Sequence, residues 1–142
     1  MSESAAQVTT EHEGMVGIVT VHRPPQNYVN ATVLGAVVDA LEALAADGSC
    51  RAAVLASEGK AFCAGVDLTA GDDLGGASRA STDGAGAFRG GARGFYDQAL
   101  RLFAQPLPLV AAIQGATIGG GAGVALACDL RVMCPEAYFT TN

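Results

Sequence analysis

Apolar positions along this chain change period several times, and each change marks an element. From Met15 to His22 the residues are β-branched and partly alternating, which predicts a strand. Arg23-Pro24-Pro25-Gln26-Asn27 ends it, because consecutive prolines cannot donate to a sheet ladder. Asn30 is placed to cap a helix. Val33, Val37, Leu41 and Leu44 then recur at helical spacing, with Leu34 and Val38 beside them and Asp39 and Glu42 off the stripe. Gly48 is a fitting stop. Ala52 to Ser57 reads as a buried strand. Strand, helix and strand in this order predict an α/β layer structure with a right-handed crossover.

Gly59 to Leu68 reads as a loop around Phe62-Cys63-Ala64-Gly65-Val66-Asp67. Ala70 to Gly94 is rich in Gly, Ala, Ser and Asp without an apolar period, which predicts a mobile surface segment with room for some helix. Phe95, Ala99, Leu102 and Phe103 mark an amphipathic helix, closed by Pro106 and Pro108. Leu109 to Ile113 is a short buried strand. Gln114 to Ile118 leads into Gly119-Gly120-Gly121, Ala122 to Ala127 reads as a helix start, and Leu130 to Met133 as another strand. The chain reaches Asn142 through an aromatic, strand-like run. The sequence carries no tandem repeat. Residues 1–12 read as a flexible N-terminal tail without a signal peptide, and 13–142 as one core.

Composition narrows the classes of function. At 142 residues the chain holds one domain with a real core. Its net charge of -6, with Lys60 as the single lysine, argues against nucleic acid and anionic membrane surfaces as partners. An anionic small ligand would need local donors such as Arg23 or Arg51, or aligned backbone N–H groups. Cys50, Cys63, Cys128 and Cys134 form no CxxC pair, so no metal site is expected, and they read as reduced thiols of a cytoplasmic protein. The uncharged stretch from Gln105 to Cys128 is long enough to span a bilayer. Pro106, Pro108 and three consecutive glycines argue against a spanning helix.

Two glycine-centred turns carry the candidate chemistry: Ala61 to Leu68, and Gly115 to Gly123. In the second, a strand runs through glycines into a helix, which presents backbone N–H groups at a helix N-terminus. Two such turns facing one point would form an oxyanion hole. Glycines also permit tight packing of strand on helix, and composition alone leaves both readings open. A Walker loop, a Rossmann fingerprint and a nucleophile elbow all fail on spacing. Cys63 has no histidine near it in sequence to activate it.

The first turn, Lys60-Ala61-Phe62-Cys63-Ala64-Gly65-Val66-Asp67-Leu68, resembles one signature of the enoyl-CoA hydratase/isomerase (crotonase) superfamily. The run from Pro106 through Gln114-Gly115 and the triple glycine to Cys128-Asp129-Leu130-Arg131 is similar to the second. The resemblance covers Met15 onward and implies the N-terminal portion of an α/β spiral of ββα repeats. It implies an acyl-CoA thioester as ligand, with the acyl oxygen between the N–H groups of Val66 and Gly120. The substrate contacts carried over are Ala64, Val66, Asp67, Leu68 and Gly120, with the adenine against the backbone of 64–68. No cofactor is implied beyond the coenzyme A carried by the substrate, and a homo-oligomer (trimer or dimer of trimers) is implied for a complete member.

Two departures bear on chemistry. Gly123 stands where hydratases of the family carry a glutamate, and the second family glutamate would fall immediately after Asn142. The nearest carboxylates by sequence are Asp67, Asp72 and Asp73. The resemblance also implies that the family's helical C-terminal region lies beyond these residues. The 142-residue chain is therefore expected to leave apolar faces or edges uncovered at Leu109–Ile113, at Leu130–Met133 and near Tyr138-Phe139, and to be marginally stable or self-associating.

Overall fold

The structure, a computed structural model, describes residues 7–67 and 84–141. Among the described residues the fold has two sheets and three helices. The strands are β1 (Val8–Glu13), β2 (Val16–Val21), β3 (Ala52–Ser57), β4 (Ala61–Cys63), β5 (Leu109–Ile113), β6 (Ala116–Ile118), β7 (Leu130–Met133) and β8 (Tyr138–Thr140). The helices are α1 (Ala31–Asp47), α2 (Gly84–Phe103) and α3 (Gly120–Ala127). The larger sheet has the order β1-β2-β3-β5-β7, and the smaller one β4-β6-β8. Only β1 runs antiparallel to its neighbour.

The expected ββα repetition is present. In each of β3–β4, β5–β6 and β7–β8, the first strand joins the larger sheet and the second joins the smaller one. The first two pairs are followed by α2 and α3. Each repeat thus adds one parallel strand to each sheet. The repeat exists in geometry and not in sequence, because the helices between the strand pairs differ in length and composition.

Local chemistry explains α1. Asn30 is extended and its Oδ1 accepts from the Val33 N–H at 2.9 Å, satisfying one of the free donors of the first turn. Gly48 ends the helix in the left-handed region at φ 72°. Val33, Leu34, Val37, Val38, Leu41 and Leu44 are all buried, and they form one core with Val19, Ala53, Leu55, Ala111 and Ile113 of the larger sheet. Full burial of each large side chain is worth about 1.5–3 kcal/mol. Arg101 of α2 holds Asp39 and Glu42 of α1 at 2.8 and 2.6 Å on the surface.

The structure differs from these expectations at several elements. Residues 1–12 are expected to be a flexible tail, yet Val8–Glu13 is a strand paired with β2 through the turn at Gly14. Its side chains are nearly all exposed, so an edge strand of this kind shows no apolar alternation. The loop expected from Gly59 to Leu68 contains the buried strand β4. Helix α2 begins at Gly84, within the segment expected to leave room for some helix and well before Phe95. Its first half has no apolar repeat and several glycines, so neither pattern nor propensity points to a helix there.

Leu109–Ile113 is also not an uncovered element, since β5 lies between β3 and β7 and its inward residues are buried. β7 is the edge of its sheet, and Leu130 and Val132 are exposed on it. The uncharged stretch from Gln105 to Cys128 is divided among β5, β6 and α3. Among the described residues no helix is long and apolar enough to cross a membrane.

Candidate functional site

The parallel pairing of β4 with β6 brings the two glycine-centred turns side by side. β4 leads into Ala64-Gly65-Val66-Asp67, and β6 leads into Gly119-Gly120-Gly121 and the start of α3. The contact is close before β6 and again after it. A Cβ built on Gly115 would stand 1.8 Å from the Lys60 carbonyl oxygen, and one on Gly121 would stand 2.2 Å from that of Cys63. No side chain fits at either position, so these two glycines are required by backbone-on-backbone packing.

Val66 and Gly120 are the facing pair at the top of this contact. A Cβ built on Gly120 would lie 2.4 Å from Val66 Cγ2 and 3.6 Å from the Val66 nitrogen. Val66 also forms a parallel bridge with Val29, in which Val29 N–H donates to Gly65 C=O and Asp67 N–H donates to Val29 C=O, both at 2.9 Å. A bridge of this type uses the neighbours of Val66, so its own N–H faces away from Val29. Gly120 is the first residue of α3, where the first N–H groups have no partner within the helix. The turn that holds Val66 and the helix start at Gly120 thus present two backbone donors in one neighbourhood, and the α3 dipole favours negative charge there.

The segment from Arg23 to Asn30 holds the Val66 turn from its other side. Ala64 N–H donates to the Gln26 carbonyl at 2.9 Å, so that amide is occupied. Arg23 Nη2 reaches Asp67 Oδ2 at 3.3 Å, and both side chains are mostly buried. Asp67, expected among the substrate contacts, therefore has a cation partner outside its own turn. Leu68, Asp72 and Asp73 lie outside the described residues.

Burial sets the thiol chemistry. Cys63 lies at the site, but desolvation pushes its pKa up, outweighing hydrogen bonds from the backbone and the charge of Arg23. Cys128, at the C-cap of α3, is pushed up to about 12 by burial. Neither is an activated nucleophile at neutral pH. All four cysteines are free, and among the described residues no group of His, Cys, Asp and Glu could hold a metal ion.

Gly123 lies on the exposed side of α3, with no atom within 4 Å of a Cβ built there.

These turns can be set against known proteins. The family model for enoyl-CoA hydratase/isomerase matches residues 11–142. The chain belongs to the enoyl-CoA hydratase/isomerase family. It is 36% identical over 134 residues to a probable enoyl-CoA hydratase of Mycobacterium tuberculosis, covering 92% of this chain and 47% of the relative. It is also 36% identical over 140 residues to a 4-chlorobenzoyl coenzyme A dehalogenase of Arthrobacter, covering 97% of this chain and 49% of that protein. An enoyl-CoA hydratase structure from Geobacillus kaustophilus superposes with a TM-score of 0.78 at 30% identity, over 95% of this chain and 49% of that one. The chain spans about half the length of the curated relatives it matches.

The family resemblance, and not composition, pointed to Val66 and Gly120, which the fold places side by side. Sequence reasoning did not find Asn27 and Gln114, whose side chains brace the turn between β3 and β4. A lone Asn after two prolines and a lone Gln before a glycine carry no pattern that would single them out.

Proposed function

We propose that this chain binds an acyl-CoA thioester with the acyl carbonyl oxygen between the N–H groups of Val66 and Gly120. The observation that carries this reading is the approach of Gly120 to the Val66 nitrogen, with a bridge to Val29 that turns the Val66 N–H outward. Negative charge develops on a thioester oxygen as an enolate forms. Donors already aimed at that oxygen stabilise it without reorganisation, and losing one typically costs about 3 kcal/mol. The backbone of Ala64 to Leu68 would receive the adenine, and the reaction class is that of enoyl-CoA hydratases and isomerases. Family membership and the names of the relatives, all acting on CoA thioesters, support the substrate class.

A second reading is favoured by Gly123. Adding or removing a proton needs a positioned titratable group. At Gly123 there is none, and Asp67 is paired with Arg23. On that reading the chain binds CoA thioesters and turns them over weakly or not at all. Hydration of butenoyl-CoA measured beside the affinity for CoA separates the two. Binding with little turnover supports the second reading, turnover near an ordinary enzyme's rate of about 10 per second supports the first, and absence of binding overturns both.

A further inference from the structure

The Ala61 carbonyl is an unusual meeting point. Ala61 opens β4, and the β4–β6 ladder shifts register between Ala61 and Cys63. Asn27 Nδ2 donates to this carbonyl at 2.7 Å and Gln114 Nε2 donates to it at 3.0 Å, with the Ser57 hydroxyl at 3.2 Å. The two amides come from opposite sides. Asn27 belongs to the segment that carries Val29, the bridge partner of Val66. Gln114 stands directly before Gly115, in the segment that runs through β6 to Gly120.

Each amide grips more than one group. Asn27 is 1% exposed, with Nδ2 also on the Glu58 carbonyl at 2.7 Å and Oδ1 accepting from the Arg23 N–H at 2.9 Å. Gln114 Nε2 also lies 2.9 Å from the Ser57 carbonyl and 3.1 Å from that of Gly59. The carbonyl groups of the β3–β4 turn are thus collected by two side chains, one from each flanking segment. A short parallel ladder with a register shift is weakly specified by its own pattern, and a slip of one residue would carry Val66 past Gly120.

We infer that Asn27 and Gln114 are positioning residues, which clamp the Ala61 carbonyl and so fix the register that sets the Val66 and Gly120 N–H groups on one oxygen. This rests on the proposed thioester site and names what holds its geometry. Neither side chain touches the substrate; both act through the backbone that carries the donors. Asn27→Asp keeps the acceptor for Arg23 N–H and removes both donations at nearly unchanged volume. Gln114→Met keeps the length and removes the donor.

The test uses the full chain and butenoyl-CoA labelled with carbon-13 at its thioester carbonyl. Infrared difference spectra report how strongly bound carbonyl is polarised, and affinity for CoA is measured in parallel. The wild type is expected to lower the carbonyl stretching frequency on binding. Asn27→Asp and Gln114→Met are each expected to lose the larger part of that shift while still binding CoA and unfolding cooperatively. A wild-type shift retained in full by both folded variants overturns this inference and leaves the proposed site standing. Unfolding of both variants assigns these residues to the fold alone and overturns it too. A bound wild-type complex with no carbonyl shift overturns the thioester site itself, and the inference with it.

Discussion

Gly120 lies so close to Val66 that a Cβ added to the glycine would stand 2.4 Å from Val66 Cγ2. The obstacle is the end of a side chain and not backbone, so it can be removed by shortening Val66. That permits a test of the donor apart from the space. In a Val66→Ala background, Gly120→Ala adds a Cβ and keeps the N–H, while Gly120→Pro adds a comparable Cβ and deletes the N–H at a first-turn helix position where proline is tolerated. The alanine double variant is expected to retain thioester carbonyl polarisation. The proline double variant is expected to lose it, with any turnover reduced by about 100-fold or more. Equal behaviour of the two would remove Gly120 from the site.

The elements that were legible in the sequence are those with many residues facing the core. α1 shows six buried positions at helical spacing with a cap at each end, and β2, β3 and β5 are short apolar runs between turn signals. β1 was hidden because an exposed edge strand needs no apolar face, and β4 and β6 because three residues cannot display a period. The facing turns were marked by their glycines, two of which, Gly115 and Gly121, sit where close backbone approach leaves no room for a side chain, but composition left their role open and the resemblance assigned it. The clamp on Ala61 was not legible, since single amide side chains act through geometry that only the folded chain supplies.

Neighbouring glycines of α3 should respond in opposite directions. Gly121→Ala would set a Cβ 2.2 Å from the Cys63 carbonyl oxygen, a backbone atom that cannot step aside. Overpacking of this kind costs about 1–3 kcal/mol or more. Gly123→Ala meets nothing within 4 Å. It should stabilise the chain by about 0.5–1 kcal/mol through helix propensity. Denaturant midpoints of the two variants against the parent check both signs. A neutral Gly121→Ala would mean that β4 and α3 are less tightly apposed than described.

Alkaline pH should destabilise the chain. Burial raises the Cys128 thiol from 9.0 to about 12, and the Cys63 thiol is raised by the same cause. Above pH 9 the unfolded chain releases these protons while the folded chain keeps them. Fewer protons are then bound by the unfolded state, so stability falls as pH rises. The contribution is complete below pH 9 and is lost progressively up to about pH 12 for Cys128. The total loss at that thiol is on the order of a few kcal/mol. Urea midpoints between pH 8 and 11 should fall, and Cys128→Ala should flatten the slope whatever it does to stability at neutral pH. An unchanged slope in that variant would place the alkaline sensitivity elsewhere.

The edge of the larger sheet should govern association. Among the described residues β7 pairs with β5 on one side only, and on this strand Leu130 is 63% exposed and Val132 is 65% exposed. A parallel edge strand with apolar side chains offers both unpaired backbone groups and an apolar surface to any similar edge. The smaller sheet ends at β8, where Tyr138 is also exposed. The 142-residue chain is therefore expected to self-associate with rising concentration in sedimentation velocity. Val132→Lys places a charge on the exposed edge without entering the core, so it should shift the distribution toward the monomer while leaving the thermal transition within a few degrees of the parent. A chain that stays monomeric at high concentration, with a cooperative transition above about 60 °C, would show that this edge is harmless as it stands.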